Sequence, residues 1–239
     1  MSSCDREQRD TEAVVESGAP NHRQEDFLRI PDTIKEAFYG GAAGGGKSEI
    51  LLMLPIARQF YQHPKFKGIL FRRTFPELQE SLIPRGVEIY HKVLGAKYNN
   101  QEHIFYFPSG ATIKLSYLLT DDDARSHDTA EFNYIGFDEL THFNEFQYRY
   151  LISRNRSSTK GLPAIMRSGS NPGNVGHTWV KERFVDPAPE GYTKIIDKLS
   201  GMARIFIPAK LTDNPAILEA TPEYADSLKL LPEAERRAK

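Results

Sequence analysis

Gly41-Ala42-Ala43-Gly44-Gly45-Gly46-Lys47-Ser48 is the stretch that decides the fold. It reads as glycine, four free positions, glycine, lysine and serine, the pattern of a loop that wraps phosphate. Glycines let backbone amides close around phosphate oxygens without side-chain clash, and a following helix adds unpaired donors and a favourable dipole. The flanks suit that role. Ala37-Phe38-Tyr39 reads as a short buried strand and Glu49-Ile50-Leu51-Leu52-Met53-Leu54 as the first turns of a helix. Lys47 is expected to reach the outer phosphates of ATP, and the Ser48 hydroxyl to ligate magnesium. The competing reading, a glycine-rich turn and nothing more, does not account for both flanks. Pro55 interrupts the helical run and is expected to kink or end the first helix segment before Ile56 to Tyr61 continues.

A chain of 239 residues with 39% hydrophobic content can bury a substantial core and suits one large domain or a domain with a small appendage. No apolar run approaches the roughly 18 residues of a membrane span, and the charged amino terminus lacks the apolar core of a secretory signal. A cytoplasmic protein without membrane attachment is expected. The one cysteine, Cys4, excludes an internal disulfide and a thiolate zinc cluster. With 31 basic against 32 acidic side chains the protein is not coated in charge suited to nucleic acid, so any DNA contact must be local.

Residues 1–23 are polar, lack aromatic residues and read as a disordered leader. Gln24 then offers a donor and an acceptor on one amide, the pairing needed to read an adenine edge; an exposed glutamine at a helix start is the equal alternative. Lys67 to Phe71 is a second buried strand, followed by Arg72-Arg73-Thr74 and a helical stretch to Leu94 interrupted at Pro84. Arg72 and Arg73 suit phosphate or a polynucleotide backbone as well as they suit a solvated strand cap. Ile104 to Phe107 and Ala111 to Tyr117 alternate on either side of Pro108-Ser109-Gly110, an antiparallel hairpin at the sheet edge. Asp121 to Asp128 carries no apolar period and reads as a loop of solvated charge rather than a metal site.

Asn133-Tyr134-Ile135-Gly136-Phe137-Asp138-Glu139 is the second anchor, an apolar strand that delivers two carboxylates at its carboxyl end. Consecutive strand residues face opposite ways, so Asp138 is expected to hold the magnesium shell through water while Glu139 orients attacking water. Its position about ninety residues after the phosphate loop makes the two motifs a joint signal. Glu139 and His142 do not form the zinc-protease pattern, whose histidines lie four apart. Phe143 to Ile152 reads as helix, and Ala164 to Gly169 as another core strand that turns at Ser170-Asn171-Pro172-Gly173. At the tip of a strand beside the Asp-Glu strand, Ser170 and Asn171 can sense a terminal phosphate and couple its loss to movement; good turn chemistry alone accounts for them equally. Tyr192 to Ile196 and Arg204 to Ile207 read as strands, and Asp213-Asn214-Pro215 opens a terminal helical region that ends as though cut from a longer protein.

The ordered set GGAAGGGKS (Gly40 to Ser48), FRRTFPEL (Phe71 to Leu78), YIGFDELTHF (Tyr134 to Phe143), SRNRS (Ser153 to Ser157), SGSNPG (Ser168 to Gly173) and IPAKLTDNP (Ile207 to Pro215), with Gln24 and Phe27, resembles the amino-terminal ATPase domain of tailed-phage large terminases. The resemblance spans most of residues 24–239. It implies an α/β fold of the P-loop NTPase class, of the additional-strand, catalytic-glutamate type. A mostly parallel central sheet is flanked by helices, with an antiparallel edge hairpin. The ATPase core covers 24–208 and a small helical lid 209–239. It implies that Gly41, Ala42, Ala43, Gly44, Gly45, Gly46, Lys47 and Ser48 hold ATP with Gln24, that Ser48 and Asp138 hold Mg2+, and that Glu139 activates water.

The same resemblance implies ATP-driven translocation of double-stranded DNA into a procapsid, in the host cytoplasm. The motor would be a homo-oligomeric ring on the portal, with a small terminase subunit as partner. Large terminases usually carry a carboxyl-terminal nuclease domain of RNase-H-like fold. No room for it remains after Lys239, so nuclease activity is not expected of this chain. Some relatives place a trans-acting arginine before a glycine on the approach to the Asp-Glu strand; here that ground reads His127-Asp128-Thr129-Ala130. Arg125 close by, and Arg154 and Arg156 beyond the strand, are the candidate arginine fingers. A helicase-like DNA-dependent ATPase and a nucleotide-dependent assembly module with little turnover are the competing functions. Strand separation would mark the first, and assembly without hydrolysis the second.

Overall fold

Apolar residues in the central strands are nearly continuous, the pattern of a sheet covered on both faces. The computed structural model describes residues 20–41 and 46–209, with Asp213 and Glu223. Residues 1–19 of the expected leader, Ala42 to Gly45, and the expected lid apart from Ala209, Asp213 and Glu223 lie outside the described residues. The strands are β1 (Glu36–Gly41), β2 (Lys67–Arg72), β3 (Lys97–Asn99), β4 (Ile104–Tyr106), β5 (Thr112–Tyr117), β6 (Tyr134–Asp138), β7 (Ile165–Ser170), β8 (Ile195–Ile196) and β9 (Ala203–Ala209). They form one sheet in the order β3-β4-β5-β2-β6-β7-β1-β9-β8. From β5 to β9 along that order every pairing is parallel. Antiparallel pairings occur only at the margins, β3 with β4 and β4 with β5 on one side and β8 with β9 on the other.

The helices are α1 (His22–Leu28), α2 (Lys47–Ala57), α3 (Phe75–Glu80), α4 (Leu82–Gly86), α5 (Asp121–Arg125), α6 (Glu145–Ile152) and α7 (His177–Val180). Strand alternation splits the core in two. Tyr39, Leu70, Tyr134, Ile165 and Ile207 point to one face, where Ile50, Leu51 and Leu54 of α2 cover them. Phe38, Phe71, Phe137, Met166 and Phe206 point to the other, against Tyr148 of α6, Trp179 of α7 and Phe184. Parallel alignment brings the carboxyl ends of β1, β2, β6 and β7 to one edge, and both sequence anchors with them.

Several local expectations need correction. Pro55 neither ends nor breaks α2, which runs through it to Ala57. The carbonyl that lost its donor, that of Leu51, accepts instead from the Tyr134 hydroxyl at 2.9 Å. The helical stretch to Leu94 breaks at Ser81 rather than Pro84, which sits in the first turn of α4, where a missing N–H costs no helix bond. Asp121 to Asp128 is not all loop: Thr120 and Asp123 form a reciprocal cap that starts α5. The segment expected to start near Gln24 is already helical before it, because Asn21 caps α1 and Gln24 is its capping-box partner. Of Tyr192 to Ile196 only the last two residues pair as a strand, and β3 adds an edge strand that the alternation beside it did not announce.

Candidate nucleotide and metal site

Gly46 precedes α2 with a left-handed φ of +67°, so the chain turns from the loop directly into the helix. Lys47 is buried, and its stem crosses β7 at Gly169. A Cβ on Gly169 would come within 3.0 Å of the Lys47 Cβ, so the absence of a side chain at residue 169 gives the lysine stem its room. One residue further, Ser48 Oγ donates to Asp138 Oδ1 at 2.9 Å, closing a contact across ninety residues. Asp138 is fully buried, and its Oδ2 lies 2.7 Å from Arg72 Nε in an ion pair without hydrogen-bond alignment. Burial pushes the Asp138 carboxyl up to about 6; Arg72 opposes that rise and Glu139 adds to it.

The Ser48 hydroxyl and Asp138 carboxylate present hard oxygen donors that suit Mg2+, which characteristically takes one or two carboxylates and completes its shell with phosphate oxygens and water. Among the described residues no group of three or more acidic, histidine or cysteine side chains could enclose a metal by itself. Such a donor set fits a cation that arrives with phosphate, not a preformed protein cage. Gly41 ends β1 at the mouth of the same site, whereas Ala42, Ala43, Gly44 and Gly45 fall outside the described residues.

Glu139 is aimed by a different device from the one expected. Strand β6 stops at Asp138, and Glu139 takes a left-handed φ of +56° that carries its carboxylate toward the tip of β7. There Oε2 accepts from Ser170 Oγ at 3.1 Å and from the Asn171 backbone amide at 3.4 Å. The side-chain Oδ1 of Asn171 is buried without a hydrogen-bond partner, so the contact to Glu139 runs through the Asn171 backbone and the Ser170 hydroxyl. Sequence reasoning missed Thr141. Its Oγ1 lies 2.8 Å from Ser170 Oγ and donates to the Asn171 carbonyl at 3.0 Å, while its backbone N–H donates to Ser170 Oγ at 3.2 Å. A threonine two positions after an acid pair has no signature; only the approach of β7 gives it partners.

Gln24 reaches this edge from α1. Its Oε1 accepts from the Asn21 amide at 2.9 Å and its Nε2 donates to the Gly46 carbonyl at 3.0 Å, so α1 is fastened to the last glycine of the loop. The three candidate fingers do not join the cluster. Arg125 pairs with Asp122 at 2.8 Å and lies 4.7 Å above the Phe146 ring. Arg154 pairs with Asp128 at 3.2 Å, and Arg156 with Glu131 at 3.7 Å. The Arg154 carbonyl accepts from Phe132, just before β6 begins, which sets Arg154 and Arg156 at the strand's opposite end, on the order of 15–20 Å from Asp138.

The architecture is that of phage large-terminase ATPase domains. The chain belongs to the family described as terminase large subunit, T4likevirus-type, N-terminal, whose model matches residues 38–239. It is similar in structure to the large terminase of a thermophilic bacteriophage in complex with ADP, at 15% identity and a TM-score of 0.63, over 87% of this chain and 50% of that one. The chain thus spans about half the length of that relative. It is also similar to the large terminase ATPase domain of Thermus phage P74-26, at 16% identity and TM-score 0.59, over 92% and 91% of the two chains. The N-terminal domain of the DNA packaging ATPase from bacteriophage phi29 matches at 15% identity and TM-score 0.53, over 79% and 96%. No curated protein sequence matches the chain.

Proposed function

We propose that this chain is the ATPase motor domain of a viral large terminase, hydrolysing ATP to translocate double-stranded DNA into a procapsid. The observation that carries the reading is the 2.9 Å contact of Ser48 with Asp138, with Glu139 held on the neighbouring strand tip. The fold is then the catalytic-glutamate P-loop type. Lys47 and the amides of Gly41 to Gly46 bind the phosphates, Gln24 borders the base, and Ser48 and Asp138 hold Mg2+. Magnesium supplies charge neutralisation at the phosphates. Glu139 accepts a proton from the attacking water, and Ser170 with the Asn171 backbone registers the change and moves β7.

Further proposals follow from family membership. The active form is a homo-oligomeric ring on the portal, working in the host cytoplasm with a small terminase subunit, and charge from a neighbouring subunit assists hydrolysis. Arg125 remains the preferred finger, since it lies on the carboxyl side of the sheet, with Arg154 and Arg156 as alternatives. Among the described residues no helix is long and apolar enough to cross a membrane. The test is ATP hydrolysis measured across protein concentration, for the native chain and for Glu139→Ala. A rate per subunit that rises with concentration and vanishes in Glu139→Ala is expected; fast, concentration-independent hydrolysis unaffected by Glu139→Ala would overturn the mechanism.

A further inference from the structure

We propose that Arg72 is a cation of this site supplied within the subunit: it and a divalent metal compete for Asp138, and the metal's arrival transfers the guanidinium to the terminal phosphate. The proposal rests on the reading of Ser48 and Asp138 as the metal-holding pair.

Phe71 and Phe137 are the last register pair of β2 and β6, so Arg72 and Asp138 are the next neighbours across those strands. Both follow Leu70 and Tyr134 onto the face that carries α2. Each carboxylate oxygen of Asp138 is engaged, Oδ1 by Ser48 and Oδ2 by Arg72. A metal that draws on Asp138 therefore meets a positive charge already in contact with it.

How firmly Arg72 is held decides what happens next. Its neighbour Arg73 is anchored, donating to the Leu118 carbonyl at 2.7 Å and to Gln147 Oε1 at 3.2 Å. The Arg72 side chain makes no hydrogen bond among the described residues, its Nε is buried, and its one ion pair there is with Asp138. A guanidinium that is 15% exposed and held by charge alone must find another anion once that charge is shared. The phosphates gathered by Lys47 are adjacent: Lys47 of α2 lies over Gly169, the register partner of Asp138 on β7, while Arg72 ends β2 on the other side, so the two cations flank Asp138. Planar guanidinium suits phosphate bidentately. Arg125, Arg154 and Arg156 all have ionic partners elsewhere.

The test uses the full chain, with Mn2+ as the probe read by electron paramagnetic resonance. Arg72→Gln and Arg72→Met both remove the charge, and Met keeps the apolar contact of the stem. In nucleotide-free protein each is expected to raise Mn2+ affinity by about fivefold or more, and to lower turnover with saturating Mg2+ and ATP by about a hundredfold. In the native protein the Arg72 Nε–Hε NMR signal is expected to move on adding Mg2+ with a non-hydrolysable ATP analogue, while that of Arg73 stays. Unchanged or weaker Mn2+ affinity in a folded variant, or an unmoved Arg72 signal, overturns the proposal and leaves Arg72 as an orienting group. Asp138→Asn separates the two levels: if it leaves the Mn2+–ADP complex intact, the metal-pair reading itself fails.

Discussion

Ser170 Oγ lies 3.1 Å from Glu139 Oε2, 2.8 Å from Thr141 Oγ1 and 3.0 Å from the Asn171 carbonyl, which also accepts from Thr141. The two hydroxyl protons cannot serve all four contacts at once. When Ser170 turns its proton to Thr141 or Asn171, the Asn171 amide is what remains on Glu139. Ser170→Ala is therefore expected to lower kcat about tenfold with nucleotide affinity unchanged, against a loss of roughly a hundredfold or more for Glu139→Gln. Thr141→Val should move kcat in the same direction by less. Steady-state kinetics with an independent ADP-binding measurement checks this, and an equal fall in affinity would mean that Ser170 only shapes the pocket.

Gln24 does two jobs with one amide, capping α1 and holding the Gly46 carbonyl. Gln24→Ala is expected to destabilise the fold by about 1 kcal/mol, a helix-cap effect, and to weaken ADP binding. Gly46→Ala should be worse, because its Cβ would stand 2.2 Å from Gln24 Nε2 at a left-handed φ. Thermal denaturation with and without ADP reads both terms.

Away from the site, Glu36 at the start of β1 is fully buried and pairs bidentately with Arg183, at 2.9 and 2.7 Å, while also accepting from the Tyr148 hydroxyl at 2.9 Å. Arg183→Met leaves that carboxylate uncompensated and should cost about 3–5 kcal/mol, a fall in Tm on the order of 10 °C. Combining it with Glu36→Gln should recover a large part of the loss. Double-mutant denaturation curves test the coupling; simple additivity would contradict it.

His127 packs edge-on against Phe71 and Phe132, with centroids at 5.4 and 5.9 Å. Burial, with Lys114 nearby, lowers its pKa from 6.5 to about 4. A base depressed in the fold contributes stability that is present above its unfolded value and lost as pH falls through the folded one. Native Tm should therefore drop relative to His127→Phe between pH 6.5 and 4, and the difference should be flat above pH 7. A parallel pair of curves across that window would remove His127 from the acid response.

The apolar strands, the two anchors and the edge hairpin were legible in the sequence because their signals are local, whereas the parallel sheet was implied by the family resemblance that the ordered motifs carry. Runs of apolar residues, a glycine-lysine-serine loop and a strand ending in Asp138 and Glu139 need no partner to be recognised. Ser48 and Asp138 could be paired on chemistry alone, and the structure sets them in contact. What the sequence could not contain was set by lateral contact between strands far apart in the chain. Arg72 read equally as a solvated cap until β6 came beside β2, and Thr141 had no signature until β7 brought Ser170 to it. Pro55 looked like a helix breaker because the Tyr134 hydroxyl that replaces its missing donor comes from β6, far along the chain. Strand periodicity predicted the wrong geometry for Glu139, since a single left-handed residue, stabilised by the β7 tip, overrides alternation. Local propensity and motif spacing thus determined the elements and the chemistry on offer, and the resemblance those motifs carry implied the class of fold, while tertiary packing alone decided which charge faces which, because desolvated ion pairs and buried hydroxyls exist only where distant strands meet.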